Sequence, residues 1–195
     1  RGAVGSVILF GSRPLEKMRD IALPSDSSTS KVLLRWLLKI RGLDPKCIET
    51  GPDLDSMLSQ CDGALLIGDR ALSAAFDNPE LIRLDLGGEW TSVTGLPMVF
   101  GVFACRKDAP KEYLRKAHRD LIQSYSKFNK DESHRNHVII QSSKSIGADE
   151  ERMRNYFQNE VMNTLDEDSK QGLLRFLIEV CELNEGPKWV DMSQE

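Results

Sequence analysis

The sequence predicts an α/β fold with a mainly parallel sheet, followed by a helical C-terminal portion. Short apolar or β-branched runs alternate with amphipathic helical segments over the first 105 residues, as in proteins built from alternating strands and helices. One run, GALLIGD at residues 63–69, is continuously apolar, as expected of a parallel strand covered on both faces. After Pro110 the apolar spacing becomes helical and no strand is predicted.

The first element is the run AVGSVILF at residues 3–10, whose β-branched and apolar side chains predict a strand. Gly11 and Pro14 are residue types that end strands. A helical turn at residues 15–19 and a short strand at residues 21–23 are predicted next. This second strand leads directly into a stretch rich in hydroxyl side chains.

That stretch, SDSSTS at residues 25–30, has five hydroxyl side chains in six positions. A helix is predicted directly after it, over Thr29–Ile40, and its narrow polar stripe predicts burial on most of its circumference. One Ser or Thr suffices as an N-cap. The surplus has two explanations. One is redundant capping together with an Asx or Ser turn. The other is a carboxylate or phosphate ligand held by Ser28, Thr29 and Ser30 at the positive end of the helix.

The rest of the first half follows the same alternation. The predicted strands lie at residues 46–50, 63–67, 81–86 and 98–105, and the predicted helices at residues 53–60, 70–76 and 89–94. The strands at residues 4–10 and 99–105 are expected to be adjacent crossings between this lobe and a second one. Such an arrangement would let two lobes close on each other.

The second half predicts helices only, at residues 111–128, 133–145, 149–158 and 169–185. NKDESHRNH, at residues 129–137, is the segment most typical of a linker. The spacing of His134 and His137 could hold a metal on a helix, but the sequence indicates no third ligand. Solvated histidines are therefore favoured over a metal site.

Composition excludes several function classes. The 26 basic and 30 acidic residues give a net charge of −4, without the basic excess typical of nucleic-acid binders. The four cysteines are widely separated and form no zinc-binding pattern, which favours a reducing cytoplasm. No apolar run is long enough to span a membrane. We therefore expect a cytoplasmic protein whose partners are neither nucleic acid nor membrane.

Two further predicted strand ends have candidate residues. Gly68 would let a ligand approach the backbone, and Asp69 would either accept a hydrogen bond from a substrate hydroxyl or cap the next helix. Gly87 and Gly88 suggest a special backbone turn. The usual motifs of hydrolases, NTPases and dinucleotide-binding proteins are absent from the sequence.

Several segments in fixed order resemble one known family. GAVGSVILF, LPSDSSTSKVLLRWLL, ALLIGDRAL, DLGGEWTSVTGLPMVFGVFACR and YFQNEVMNTLDEDSKQGLLRFLIEV are similar to the chorismate dehydratases of the futalosine route to menaquinone. The resemblance covers nearly the whole chain and implies the periplasmic-binding-protein type II fold, with two lobes joined by crossing strands. Residues 1–105 would form an α/β lobe with its two crossing strands, and residues 106–195 a helical segment on the other lobe.

The resemblance also implies a function: a lyase that dehydrates chorismate to 3-enolpyruvylbenzoate, with no cofactor and no metal. For this reaction, Asp69 at its strand end is expected to be the catalytic residue. The expected substrate-binding residues are Ser6, Ser28, Thr29, Ser30, Gly68 and Leu96. A non-catalytic protein of the same fold that binds a small carboxylate is the alternative. Family members have a further N-terminal part, so these 195 residues alone are not expected to complete the active site, and an N-terminal fragment or a dimer partner is expected.

Overall fold

The computed structural model describes residues 2–192 and has one five-stranded sheet. Its strands are β1 (Val7–Gly11), β2 (Asp20–Pro24), β3 (Lys46–Thr50), β4 (Gly63–Ile67) and β5 (Ile82–Asp85), arranged in the order β3-β2-β4-β1-β5. β2 is parallel to β3 and to β4, whereas β1 is antiparallel to β4 and to β5. Four strands therefore run in one direction, and β1 lies between β4 and β5 in the opposite direction. The predicted α/β class is confirmed.

Eight α-helices accompany the sheet in the described part of the chain: α1 (Thr29–Ile40), α2 (Leu54–Gln60), α3 (Gly68–Asp77), α4 (Leu86–Thr94), α5 (Lys111–Lys130), α6 (Glu132–Ile146), α7 (Glu150–Asn155) and α8 (Glu167–Arg175). Short 3-10 turns form at Leu15–Lys17 and Pro79–Leu81, and π-helical turns follow α7 and α8 at Tyr156–Glu160 and Phe176–Val180. No helix among residues 2–192 is long and apolar enough to cross a bilayer.

Both faces of the sheet are buried. Successive side chains of a strand point to opposite faces, so neighbouring residues of β1 show what covers each face. In β1, Leu9 belongs to an apolar cluster that includes residues of α1 and α4. Its neighbours Ile8 and Phe10 belong to a second cluster with residues of α2 and α3. Helices on both faces explain why β1 and β4 are almost entirely apolar.

Helix α1 anchors the first cluster through Leu33, Leu34, Leu37 and Leu38, all of which are buried. Burying a leucine side chain stabilises a fold by about 1.5–3 kcal/mol relative to leaving it exposed. The cluster extends through aromatic contacts from Trp36 to Trp90, with ring centroids 5.3 Å apart, and from Trp90 to Phe176, 6.0 Å apart. The turn after α8 is thereby packed onto the sheet layer.

The predicted strand at residues 98–105 is wrong, since no strand forms there in the structure. Residues 101–108 are exposed, and Phe103 is 87% exposed. Both edges of β1 are already paired, with β4 on one side and β5 on the other. Residues 98–105 therefore find no free edge on β1, although their composition is apolar. The predicted pairing with residues 4–10 does not form.

The linker predicted at residues 129–137 is also wrong. α5 continues to Lys130, and α6 begins at Glu132, so that Asp131 alone separates them. The Asp131 carboxylate accepts a 2.9 Å hydrogen bond from the backbone N–H of His134 and caps α6. Polar composition does not distinguish a loop from a capping residue followed by the charged first turn of a helix.

Candidate functional site

One edge of the sheet brings most of the predicted site residues together. Residues 25–30 follow the carboxyl end of β2, and Gly68 and Asp69 follow the carboxyl end of its parallel neighbour β4. Ser6 immediately precedes the antiparallel strand β1, so it lies at the same edge, where Val7 pairs with Ile67. Carboxyl ends of strands in open α/β sheets are the usual position of ligand sites.

The hydroxyl stretch divides into one capping residue and several hydroxyls that do not cap. The Oγ atom of Ser27, a buried residue, accepts a hydrogen bond of 3.3 Å from the backbone N–H of Ser30. Ser28 and Thr29 are exposed, and Ser28 makes no side-chain capping bond. Ser27 therefore supplies the cap through a local Ser-to-backbone bond, and Ser28 adds no second one.

Ser30 occupies the first turn of α1 and is only 4% exposed. Ser28, Thr29 and Ser30 follow one another at the N-terminus of a twelve-residue helix, whose positive end favours an anion. Hydroxyl groups can donate to such an anion without adding a charge of their own. The structure thus keeps the three predicted hydroxyls in one place.

Gly68 and Asp69 open α3 at the neighbouring strand end. Gly68 has a positive φ of 62°, and a Cβ atom there would meet no other atom within 4 Å. The predicted alternative role for Asp69, a helix cap, is not what the structure has: Ile67 occupies the N-cap position, and no side chain caps α3. The Asp69 side chain is exposed at the start of the helix.

An ion pair links these two strand ends. Nη1 of Arg70, the residue after Asp69, lies 2.7 Å from Oδ2 of Asp26, which is part of the hydroxyl stretch. Both side chains are about half exposed, so the pair contributes little stability by itself. Its geometric effect is to tie the start of α3 to the loop before α1.

Ser6 is joined to the same edge through its backbone. The N–H of Gly68 donates a hydrogen bond of 2.7 Å to the carbonyl oxygen of Ser6. Ser6 is half-buried, and the preceding Gly5 is buried with a positive φ of 63°. The positions of Ser6 and Gly68 are therefore coupled directly.

Sequence reasoning gave no role to Asp85, the last residue of β5. Its carboxylate accepts hydrogen bonds from the backbone N–H groups of Val4 and Gly5 and caps α4 by accepting one from Gly88. The only signal in the sequence was an Asp three residues before a Gly at a helix start, which identifies the cap but not the contacts with Val4 and Gly5.

Leu96 does not join this group. It follows the C-terminal end of α4, while the N-terminal end of that helix lies at the site edge. A Cβ atom added to Gly172 of α8 would lie 3.6 Å from the Leu96 Cβ. With about 1.5 Å of rise per residue, α4 separates Leu96 from the strand ends by roughly its whole length. Leu96 stays a prediction without support from the geometry.

A carboxylate with a strongly lowered pKa, that of Asp62, lies at the opposite edge of the sheet. Asp62 accepts hydrogen bonds from the side chain and the backbone N–H of Arg19, and Arg13 approaches its Oδ1 atom to 3.0 Å. These contacts, the Arg19 side chain first, lower the pKa of Asp62 to about 2. Asp62 precedes β4, whose other end forms the candidate site, so this charge cluster is structural.

Among residues 2–192, no group of three or more His, Cys, Asp or Glu side chains is arranged to hold a metal ion. The side chains gathered at the candidate edge are instead neutral hydroxyls, one exposed carboxylate and one ion pair. Hydroxyls donate to carboxylates and a carboxylate accepts from a hydroxyl, so the chemistry of this set suits an organic anion that also has a hydroxyl group.

Sequence comparison gives a family and two curated relatives. Residues 1–182 match the family described as menaquinone biosynthesis. The chorismate dehydratase of Thermus thermophilus is 37% identical over 139 residues, which are 61% of this chain and 51% of that protein. The chorismate dehydratase of Campylobacter jejuni is 31% identical over 129 residues, 66% of this chain and 53% of that protein. The chain spans about half the length of the curated relatives it matches.

Comparison with solved structures concerns the fold alone. A crystal structure from Archaeoglobus fulgidus has a TM-score of 0.64 at 23% identity, covering 93% of this chain and 70% of that one. The periplasmic aliphatic sulphonate binding protein of Escherichia coli has a TM-score of 0.50 at 15% identity, covering 98% of this chain and 69% of that one. The predicted fold like that of periplasmic binding proteins is confirmed.

Proposed function

The chain belongs to the menaquinone biosynthesis family, and from this premise we propose that the whole protein is a lyase that dehydrates chorismate to 3-enolpyruvylbenzoate. The two curated relatives are named chorismate dehydratase, which supports the proposal. Because the chain spans about half their length, the activity is assigned to the whole protein.

One observation carries the proposal: the hydroxyls at the start of α1, the Gly68–Asp69 strand end and Ser6 all lie at one edge of the sheet. Chorismate has two carboxylates and one hydroxyl that leaves as water. The hydroxyl-rich helix start matches a carboxylate, and the exposed Asp69 matches the leaving hydroxyl. Each hydrogen bond to a substrate carboxylate contributes about 1.5–3 kcal/mol.

The proposed reaction is an elimination. The ring C–H bond and the C–O bond to the hydroxyl break, the electron pair of the C–H bond forms the last ring double bond, and the proton and hydroxide leave as water. Because an aromatic ring results, the driving force is large, and the protein mainly supplies orientation and electrostatic stabilisation. A carboxylate of the substrate itself removes the ring proton, and Asp69 orients the leaving hydroxyl.

The organisation of the chain is part of the proposal. Residues 1–105 are assigned to an α/β lobe and residues 106–195 to a helical segment that packs on a second lobe. The substrate is a small dicarboxylate, and the four cysteines, which form no disulfide, suit the reducing cytoplasm. No cofactor is assigned to the reaction, because the elimination involves no net redox change.

A second candidate is a binding protein of the same fold that captures a small carboxylate without converting it. The hydroxyls at the start of α1 favour it as well, because they suit a carboxylate whether or not that carboxylate is converted. Incubating the whole protein with chorismate distinguishes the two functions. Formation of 3-enolpyruvylbenzoate, measured by chromatography, supports the dehydratase. Saturable chorismate binding with no product after many hours supports the binder.

A further inference from the structure

Val4 and Gly5, which lead into Ser6, are held by one carboxylate. Oδ2 of Asp85 lies 2.7 Å from the N–H nitrogen of Gly5 and 3.0 Å from that of Val4, while Oδ1 lies 3.1 Å from Val4 N and 2.8 Å from Gly88 N. The group is half-buried between this segment and the first turn of α4. One side chain therefore caps a helix and fixes the backbone directly before Ser6.

The start of α4 is shaped to receive this segment. A Cβ atom on Gly87 would lie 2.5 Å from Cγ1 of Val4, whereas one on Gly88 would lie 3.4 Å from the Cα of Ala3. Gly87 is thus required by the close approach of Val4 and not by a special turn, since both glycines belong to the helix. The predicted turn at these glycines is corrected accordingly.

The opposite side of the segment is covered by the C-terminal part of the chain. Arg152 and Glu160 form a two-bond ion pair, with N–O distances of 2.7 and 2.8 Å, and their side chains are 20% and 15% exposed. A Cβ atom on Gly5 would collide with this pair. Gly5 is therefore enclosed between Asp85 on one side and the ion pair on the other.

We propose that Asp85 is a positioning residue, which acts through Gly5 to set the place of Ser6 at the substrate-binding edge. The inference rests on the proposed function. Gly5 is bonded to Ser6, and the Ser6 carbonyl in turn accepts from Gly68. If the Gly5 N–H loses its bond to Asp85, Ser6 can move, and with it the contact between the start of β1 and the end of β4. Misplacement of reacting groups by about 1 Å can slow a reaction about 100-fold.

Asp85→Asn in the whole protein tests the proposal. Asn keeps one oxygen that can still cap α4, but the NH2 group that takes the place of Oδ2 cannot accept from the Gly5 N–H. Asp131→Asn, which alters the cap of α6 in the same way, is the matched control. We expect at least a tenfold lower kcat for Asp85→Asn, a melting temperature close to that of the control, and faster deuterium exchange at the Gly5 amide.

An unchanged kcat in Asp85→Asn, or a loss of kcat that merely follows a loss of folded protein, overturns the proposal. A second comparison is between Gly87→Ala and Gly88→Ala, since only the first substitution pushes on Val4. Equal kcat values for these two variants also count against the positioning role of Asp85. Wild-type protein that does not convert chorismate overturns the proposed function instead. The exchange measurement then still decides the positioning role, because unchanged Gly5 exchange in Asp85→Asn overturns it.

Discussion

The N–H of Gly68 lies 2.7 Å from the carbonyl oxygen of Ser6, and this hydrogen bond joins the end of β4 to the beginning of β1. Two residues that are distant in the sequence thereby share one edge of the sheet with the start of α1. Because β1 runs antiparallel to its neighbours, its beginning meets their ends. The candidate site is a consequence of this topology.

Removing two hydroxyls at the start of α1 should weaken substrate use without unfolding the protein. For the double variant Thr29→Ala and Ser30→Ala we expect kcat/KM to fall at least about tenfold, because two bonds to a carboxylate are lost. The cap from Ser27 remains, so the circular dichroism spectrum should not change. Steady-state kinetics with chorismate measures the effect, and unchanged kinetics would return these hydroxyls to a purely structural role.

Ser27 and Ser28 should differ in stability although they are adjacent. Ser27→Ala removes the side chain that accepts from Ser30 N, so we expect a loss of about 1 kcal/mol in the free energy of unfolding. Ser28→Ala removes an exposed hydroxyl that makes no cap and should cost much less. Urea denaturation of both variants gives the comparison, and equal losses would show that Ser27 is not the principal cap.

Asp69→Asn should lower kcat more than it weakens binding, because the contact with the leaving hydroxyl matters most as the C–O bond breaks. Asp77→Asn, at the exposed far end of the same helix, is the matched control and should behave as wild type. Kinetics and the equilibrium affinity for chorismate are measured on both variants. A normal kcat in Asp69→Asn would remove Asp69 from the catalytic proposal.

Acid should destabilise the fold partly through Asp62. Its pKa is lowered from 3.8 to about 2, mainly by Arg19, so its contribution is complete above about pH 4 and disappears as the pH falls through about 2. Asp62→Asn should therefore be less stable than wild type at neutral pH, and the difference should shrink between about pH 4 and pH 2. The exposed Asp55→Asn is the control, and a difference independent of pH would contradict this assignment.

Local patterns predicted the elements of the sheet region well. The bounds of α1 agree with the prediction because its apolar spacing, its polar stripe and the hydroxyls before it all lie within one stretch. The residues that follow β2 and β4 could be placed at one edge of the sheet, because the carboxyl ends of parallel strands lie at the same edge. Ser28, Thr29, Ser30, Gly68 and Asp69 could be selected in this way.

Pairing partners and long-range contacts could not be predicted in the same way. Residues 98–105 have a strand-like composition, but whether they pair depends on a free edge, and β1 has none. The contact of Asp85 with Gly5 joins segments distant in the sequence, so no local pattern reveals it. The single-residue break at Asp131 cannot be told from a linker by local composition, because a helix cap and a linker are both polar.

Proton NMR of chorismate incubated with the whole protein tests the central claim most directly. We expect the ring signals of chorismate to decrease while aromatic signals of 3-enolpyruvylbenzoate increase in equal amount, and the double variant Thr29→Ala and Ser30→Ala to slow this change at least about tenfold. Chorismate signals that broaden on binding but keep their intensity throughout the incubation would contradict the dehydratase function and leave a binding protein.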